Sequence, residues 1–293
     1  MINPLSNLAQ SIKENLDNIR AIDPTEIKRF RHKAENPLYL LCILITIVVV
    51  CVGITSDTGD FIVQYFMEDD EWDLFTAIFV LPVIIIFVLY YQYASTRAYA
   101  IKVTEKNFPE IYYKSLEFAK KLNIKKIPPV YIEQQNGILN AFAASIFGRR
   151  YCMLNAELVD VAYMEHKDFD TVFFILAHEY GHHYYKHADF KHIALVFLAH
   201  LIPVFGALHS RAREYSCDRI AQLLLGRDGV QEAMILSAGR HLYKHVDAQD
   251  YLEDMKNGKE FLPRLINLFA THPIMSKRIA ALADPEKKSG KLL

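Results

Sequence analysis

Two long uncharged apolar runs dominate the hydrophobic pattern of the chain. They cover residues 38–54 and 74–94, and neither contains a charged residue. A helix needs about 17–25 apolar residues to cross the hydrocarbon core of a membrane, so both runs are long enough. Buried core helices are the alternative, but core helices rarely stay apolar on every face over this length. The pattern predicts a transmembrane hairpin over residues 38–94.

The charges that flank the two runs predict the orientation of this hairpin. Lys and Arg residues cluster before the first run and after the second. The connecting loop, residues 55–73, is acidic and contains no Lys or Arg. Because basic segments stay on the cytoplasmic side, both termini are expected in the cytoplasm and the acidic loop outside. We expect an integral protein of the inner (cytoplasmic) membrane, in contact with the lipid bilayer.

The N-terminal segment, residues 1–37, shows a weaker periodicity than the hairpin. Apolar residues recur there at helical spacing: Leu5, Leu8, Ile12, Leu16 and Ile19. This spacing indicates an amphipathic helix, which could lie on the membrane, contact a partner or pack on the protein's own surface. At the other end, the polar tail of residues 284–293 is expected to be frayed.

Residues 95–283 have the pattern of a folded domain on the cytoplasmic side. A helix is predicted over residues 111–122, and three short strand-like runs follow at 130–134, 138–145 and 150–154. Helical periodicity then begins at Asp170 and continues nearly to the end. The predicted fold class is α+β: a mostly helical domain with a small β-sheet, preceded by the hairpin.

The composition excludes several classes of protein. With 52% hydrophobic and 23% charged residues, the chain is not intrinsically disordered. Its net charge of -1 gives no general attraction to polyanions, so no nucleic-acid partner is expected. The four cysteines show no C-x-x-C spacing, which argues against a disulfide framework and a cysteine-built zinc knuckle.

Residues 178–182 read HEYGH, an H-E-x-x-H motif on a predicted helix. His178 and His182 are four residues apart and therefore share one helical face. Two such imidazoles can hold one zinc ion per chain, with Glu179 beside the open coordination position. The motif predicts a hydrolytic zinc centre.

A second cluster of carboxylates strengthens this prediction. Glu214 and Asp218 are also four residues apart on a predicted helix. A catalytic zinc site commonly combines two histidines with one glutamate, which favours Glu214 as the third metal ligand. A carboxylate one turn further on, Asp218, is suited to orient a ligand histidine.

Two further histidine pairs have the same four-residue spacing but lack a suitably placed glutamate. His183 and His187 are expected to face away from the motif histidines on the same helix. Together with His241 and His245, they are interpreted as surface or structural histidines.

Four ordered segments resemble the membrane-anchored zinc metallopeptidases of the HtpX-like type, which are H-E-x-x-H gluzincins. This group is related to the CAAX prenyl endopeptidases and the mitochondrial quality-control peptidases. The segments lie within residues 103–283 and read VYIEQQNGILNAFAA, FILAHEYGHHYYKH, SRAREYSCDRIA and THPIMSKRIAAL. The resemblance implies that His178, His182 and Glu214 bind zinc, that Glu179 is the catalytic glutamate and that Asp218 supports the ligands.

The resemblance also implies roles for residues outside the zinc centre. Asn140 and Ala141 would lie on an edge strand that aligns the substrate backbone by strand addition. His272 would lie near the developing oxyanion as a second catalytic residue, and Arg278 would support that region. A purely structural role is the alternative for both.

One segment departs from the family pattern. HtpX-like chains often carry further membrane helices between the H-E-x-x-H motif and the third ligand. Here only 31 residues separate His182 from Glu214. Within them, residues 192–210 have an uninterrupted apolar part too short to span a membrane. We expect a helical hairpin that is buried or skims the membrane.

The predicted function is a membrane-anchored zinc endopeptidase in which Glu179 is the general base. Its expected partners are protein or peptide substrates, either membrane-associated or misfolded, as in protein quality control. One alternative is a catalytically silent membrane adaptor or chaperone, against which the intact Glu179 argues. A zinc-containing assembly scaffold and a CAAX-type processing protease are further alternatives. The last is disfavoured because two membrane helices cannot enclose a lipid chamber.

Overall fold

Helices make up most of the chain in the computed structural model, which describes residues 4–55, 74–257, 261–284 and 290–292. The helices are α1 (Pro4–Asn15), α2 (Pro24–Phe30), α3 (Glu35–Thr55), α4 (Leu74–Tyr99), α5 (Pro109–Lys121), α6 (Ala156–Asp160), α7 (Phe169–Tyr184), α8 (Phe190–His200), α9 (Pro203–Leu225), α10 (Val230–Ala233), α11 (Ile235–Leu242), α12 (Ala248–Asn257), α13 (Phe261–Phe269) and α14 (Met275–Ala283).

The N-terminal amphipathic helix packs on the protein itself. Helix α1 contacts α5, and Ile12 of α1 and Leu16, which follows its end, are buried in the main hydrophobic core. Burying these side chains removes apolar area from water, which favours this packing. The sequence left three locations for this helix: on the membrane, on a partner or on the protein's own surface. The structure shows the last of these.

Helix α3 is the one helix among the described residues that is long and apolar enough to cross a membrane, over Glu35–Val52. It contacts α4, which contains the second predicted span and exposes Val83 and Phe87. A second candidate span is not found among the described residues, so the two-helix hairpin stays a prediction. Residues 56–73 of the acidic loop lie outside the described residues.

One mixed sheet of four strands confirms the α+β class. The strands are β1 (Ile101–Lys102), β2 (Val130–Glu133), β3 (Ala141–Ile146) and β4 (Arg149–Asn155). Their order is β1-β2-β4-β3, with β2 and β4 parallel and the other pairs antiparallel. Phe147 and Gly148 join β3 to β4 with φ of 47° and 73°, as a two-residue type I′ turn requires. Because β3 is last in the strand order, it forms one edge of the sheet.

Helix α7 runs through the centre of the domain. Its residues Val172, Leu176 and Tyr180 are completely buried, and the helix packs against α9, β3 and β4. Gly181 lies where α7 meets α9, and a Cβ atom there would be 3.1 Å from the Cα of Cys217. The missing side chain thus lets the two helices approach closely. This crossing places the H-E-x-x-H motif beside the second carboxylate cluster.

Residues 192–210 lie in a helical hairpin, as predicted. Helix α8 packs along α3, where Val196 and Ala199 form a small buried cluster with Cys42. Helix α9 then runs unbroken from Pro203 to Leu225. The hairpin is therefore buried against the candidate membrane helix on one side.

The expectation that the C-terminal tail is frayed is wrong for residues 290–292. Tyr215 Oη donates to the carbonyl of Lys291, while Arg211 Nε and Asn267 Nδ2 both donate to the carbonyl of Leu292. Arg211 is completely buried, and the carbonyl of Leu292 gives its Nε–H one of the acceptors that a buried guanidinium needs. Residues 285–289 of the tail lie outside the described residues.

Candidate metal centre

Three side chains converge where α7 crosses α9. His178 Nε2 lies 3.2 Å from His182 Nε2 and 3.4 Å from Glu214 Oε2, and His182 Nε2 lies 3.4 Å from Glu214 Oε1. Donor atoms of a tetrahedral zinc ion, with bonds of about 2.0–2.1 Å, are separated by about 3.3 Å. The spacing of these three side chains therefore fits a zinc ion.

The electrostatics of this cluster favour a positive charge at its centre. Burial opposes ionisation of Glu214, but its hydrogen bonds with His178 and His182 outweigh this and lower its pKa well below the ordinary value. Burial likewise disfavours charged His178, yet the hydrogen bonds with Asp218 and Glu214 raise its pKa to about 10. The chemistry of the donor set therefore suits a cation.

Asp218 orients His178 and is itself held by Arg278 of helix α14. His178 Nδ1 donates to Asp218 Oδ1 at 2.8 Å. The guanidinium of Arg278 donates to both carboxylate oxygens of Asp218, from Nε at 2.7 Å and from Nη2 at 2.6 Å. Asp218 and Arg278 are 2% and 8% exposed. The outer nitrogen of His178 is thus fixed by a buried, bidentate ion pair.

Replacing Asp218 with alanine is expected to lower the free energy of unfolding by about 3–5 kcal/mol, because the buried charge of Arg278 loses its partner. Denaturant unfolding of the purified chain in detergent measures this change. Asp170→Ala is the matched control, since the Asp170–Arg227 pair spans 2.6 Å but is about half exposed. Asp170→Ala should lower the free energy of unfolding by only about 0–1 kcal/mol. Equal effects of the two substitutions would contradict the prediction.

The remaining predicted residues line one cleft with the metal-centre cluster. The lining includes Asn140, Ala141, His178, Glu179, Glu214 and His272. Ala141 begins the edge strand β3, and Glu179 is only 6% exposed. The His272 side chain is 69% exposed, with its Nε2 3.7 Å from Glu214 Oε2. The structure thus brings the predicted catalytic and substrate-binding residues to the same place.

Cys217 is a candidate ligand that the sequence analysis missed. One donor atom each from His178, His182 and Cys217 lies within 4.8 Å of the other two. Burial and then the carboxylate of Glu214 raise the pKa of the Cys217 thiol well above its ordinary value, which disfavours the thiolate that binds metals. Its position three residues after Glu214 on the same predicted helix is a signal that could have pointed to it.

The expectation that His187 faces away from the motif is wrong. Helix α7 ends at Tyr184, and Lys186 takes a φ of 62°, so the chain turns back. His187 Nδ1 then lies 3.1 Å from His182 Nδ1. His183, in contrast, is structural as predicted, because its Nε2 donates to the carbonyl of Tyr151 at 2.9 Å.

The other predicted histidine pair, His241 and His245, is exposed, as expected of surface residues.

Glu35 lies near the metal-centre cluster, next to His187, and the sequence analysis missed it. It is 1% exposed and accepts a hydrogen bond from His187, across 152 residues of sequence. No local pattern indicates a contact over that separation.

Comparison with known proteins identifies the family. The model of peptidase family M48 matches residues 105–201 and 190–286, which together cover more than half of the chain. No curated protein and no solved structure matches the chain. The matched ranges contain the converging residues of α7 and α9 as well as the cleft. The chain therefore belongs to peptidase family M48.

Proposed function

We propose that this protein is a membrane-anchored zinc endopeptidase of the HtpX-like type. Membership of family M48 supports a metallopeptidase, because the members of this family are zinc metallopeptidases. The observation that carries the proposal is the convergence of His178, His182 and Glu214 within 3.2–3.4 Å of one another, beside Glu179 in an open cleft. This set matches the two histidines and one glutamate of many catalytic zinc sites.

In the proposed site, His178, His182 and Glu214 would hold one zinc ion. When bound, zinc would polarise the scissile carbonyl and lower the pKa of the attacking water toward about 7. Asp218 keeps the Nδ1 proton of His178 on the outer side of the ring, which leaves Nε2 free to act as a ligand. The carboxylate of Glu214 offers both of its oxygens to the same centre.

Glu179 is proposed to move the proton during hydrolysis. Its carboxylate accepts a proton from the attacking water and then gives it to the leaving nitrogen of the cleaved peptide bond. His272 lines the same cleft, and its exposed imidazole can donate to the oxygen that becomes negative in the transition state. Glu179 would thus transfer the proton, while His272 would stabilise the oxyanion.

Strand β3 supports a protein or peptide substrate. It lies at the edge of the sheet, and Asn140 and Ala141 at its start line the cleft. An extended peptide can add to such an edge through main-chain hydrogen bonds, whatever its side chains are. This mode of binding suits an enzyme that cleaves unfolded segments of many proteins.

Helices α3 and α4 support the membrane anchor. Large apolar side chains on both are more than half exposed, among them Leu40, Leu44, Val83 and Phe87. Exposed apolar surface of this extent is typical of contact with lipid or another apolar partner. We propose that both helices cross the membrane, that the catalytic domain and both termini are cytoplasmic, and that the substrates are membrane-associated or misfolded proteins.

Digestion of an unfolded model protein, reduced casein, tests this function. The full chain, purified in detergent, is expected to cleave casein at internal bonds. A chelator should abolish cleavage, and added zinc should restore it, because the proposed chemistry needs the metal. A zinc-loaded chain that leaves casein intact would contradict the peptidase and support the adaptor alternative.

A further inference from the structure

A chain of three hydrogen-bonded side chains links the start of helix α3 to the metal centre. His182 Nδ1 lies 3.1 Å from His187 Nδ1, and His187 Nε2 lies 2.9 Å from Glu35 Oε1. Glu35 is the first residue of α3, and His187 follows the end of α7. Both are almost completely buried, at 1% and 3% exposed. The two contacts therefore join the candidate membrane helix to a metal-centre histidine through His187.

The hydrogen bonds of this chain are consistent with one tautomer at each ring. His182 directs Nε2 to Glu214, so Nε2 is the ligand atom and Nδ1 carries the proton. That proton is donated to Nδ1 of His187, whose remaining proton is then on Nε2. His187 Nε2 donates in turn to the carboxylate of Glu35. Each donor therefore meets an acceptor, and the orientation of the His182 ring is fixed.

Glu35 is held from two further sides. Arg31 donates to Oε1 from Nε at 2.8 Å and from Nη2 at 2.6 Å. The hydroxyl of Ser216, on helix α9, donates to Oε2. The positive charge of Arg31 offsets the cost of burying the carboxylate, and Ser216 ties it to the helix that carries Glu214. The acceptor for His187 is therefore rigid.

The two motif histidines are thus supported differently. His178 donates directly to Asp218, whereas His182 reaches a carboxylate through His187. We propose that His187 and Glu35 are positioning residues for His182, and that zinc affinity depends on how helix α3 is seated on the catalytic domain. This inference rests on the proposed zinc centre. Outer partners of this kind typically contribute 10–100-fold to metal affinity.

The dissociation constant for zinc, measured by chelator competition on the full chain in detergent, tests the inference. His187→Phe keeps an aromatic ring but removes the acceptor, and should weaken zinc binding roughly 10–100-fold. His187→Gln restores an acceptor and should recover part of this loss. Glu35→Ala should also weaken binding, with little added effect in the His187→Phe background, because both substitutions break one chain.

Two reference variants separate the possible causes. His183→Phe alters an equally buried histidine of α7 that bonds a backbone carbonyl, and should leave zinc affinity unchanged. An equal loss in His183→Phe and His187→Phe would overturn the inference, because the effect would then be general destabilisation. His182→Ala should lose zinc; if it retains wild-type affinity, the proposed metal centre itself is wrong. Loss in His182→Ala with wild-type affinity in His187→Phe would overturn the positioning role alone.

Discussion

Replacing Glu179 with glutamine is expected to abolish peptide-bond hydrolysis while leaving zinc bound. The amide has nearly the size of the carboxylate but cannot take a proton from water, so the general base is lost. General acid–base catalysis typically contributes 10²–10⁴-fold, and we expect a fall of at least that size in kcat. Zinc should remain because Glu179 is not one of the three side chains that converge at 3.2–3.4 Å.

The measurement is the rate of casein cleavage, with the zinc content of each sample determined by atomic absorption. Glu110→Gln is a matched control, because Glu110 is 2% exposed and accepts a hydrogen bond from Tyr163 rather than lining the cleft. It should keep wild-type turnover. Retained turnover in Glu179→Gln would remove Glu179 from the mechanism, and a loss of zinc would place it among the ligands instead.

Replacing Glu214 with alanine is expected to deplete zinc from the protein, and activity with it. The substitution removes one of three converging donors and the negative charge that favours a cation at this position. The loss of affinity should exceed the roughly 10–100-fold that is typical of removing an outer partner of a ligand. Chelator competition and the molar ratio of zinc to purified chain measure the effect.

Cys217→Ser is the control that distinguishes Glu214 from Cys217 as the third donor beside the two histidines. Cys217 groups with His178 and His182, but its burial holds the thiol protonated, so serine should leave zinc content nearly unchanged. Full zinc occupancy in Glu214→Ala would contradict the prediction. If Cys217→Ser were depleted at the same time, the third ligand would be Cys217.

The H-E-x-x-H motif and the downstream carboxylates could be assigned to the candidate site from local sequence patterns alone. Residues four apart on a helix must share a face, so the pairing of His178 with His182 is fixed by helical geometry alone. The same spacing places Glu214 and Asp218 on one face of a second helix, and this predicts that their face meets the two histidines. The three strand-like runs correspond to β2, β3 and β4, although the run for β3 begins three residues before the strand does, and no run predicts β1.

The sequence by itself therefore determined the fold class, the apolar helix α3 and the choice of residues for the proposed zinc centre. Only the tertiary structure decided what surrounds them. The turn at Lys186 returns His187 to His182, Arg278 reaches Asp218 from helix α14, and Glu35 closes a contact across 152 residues. Local periodicity reports which side chains share a face of one element. Which faces meet depends on how all the helices pack together, and that is settled only in the folded chain.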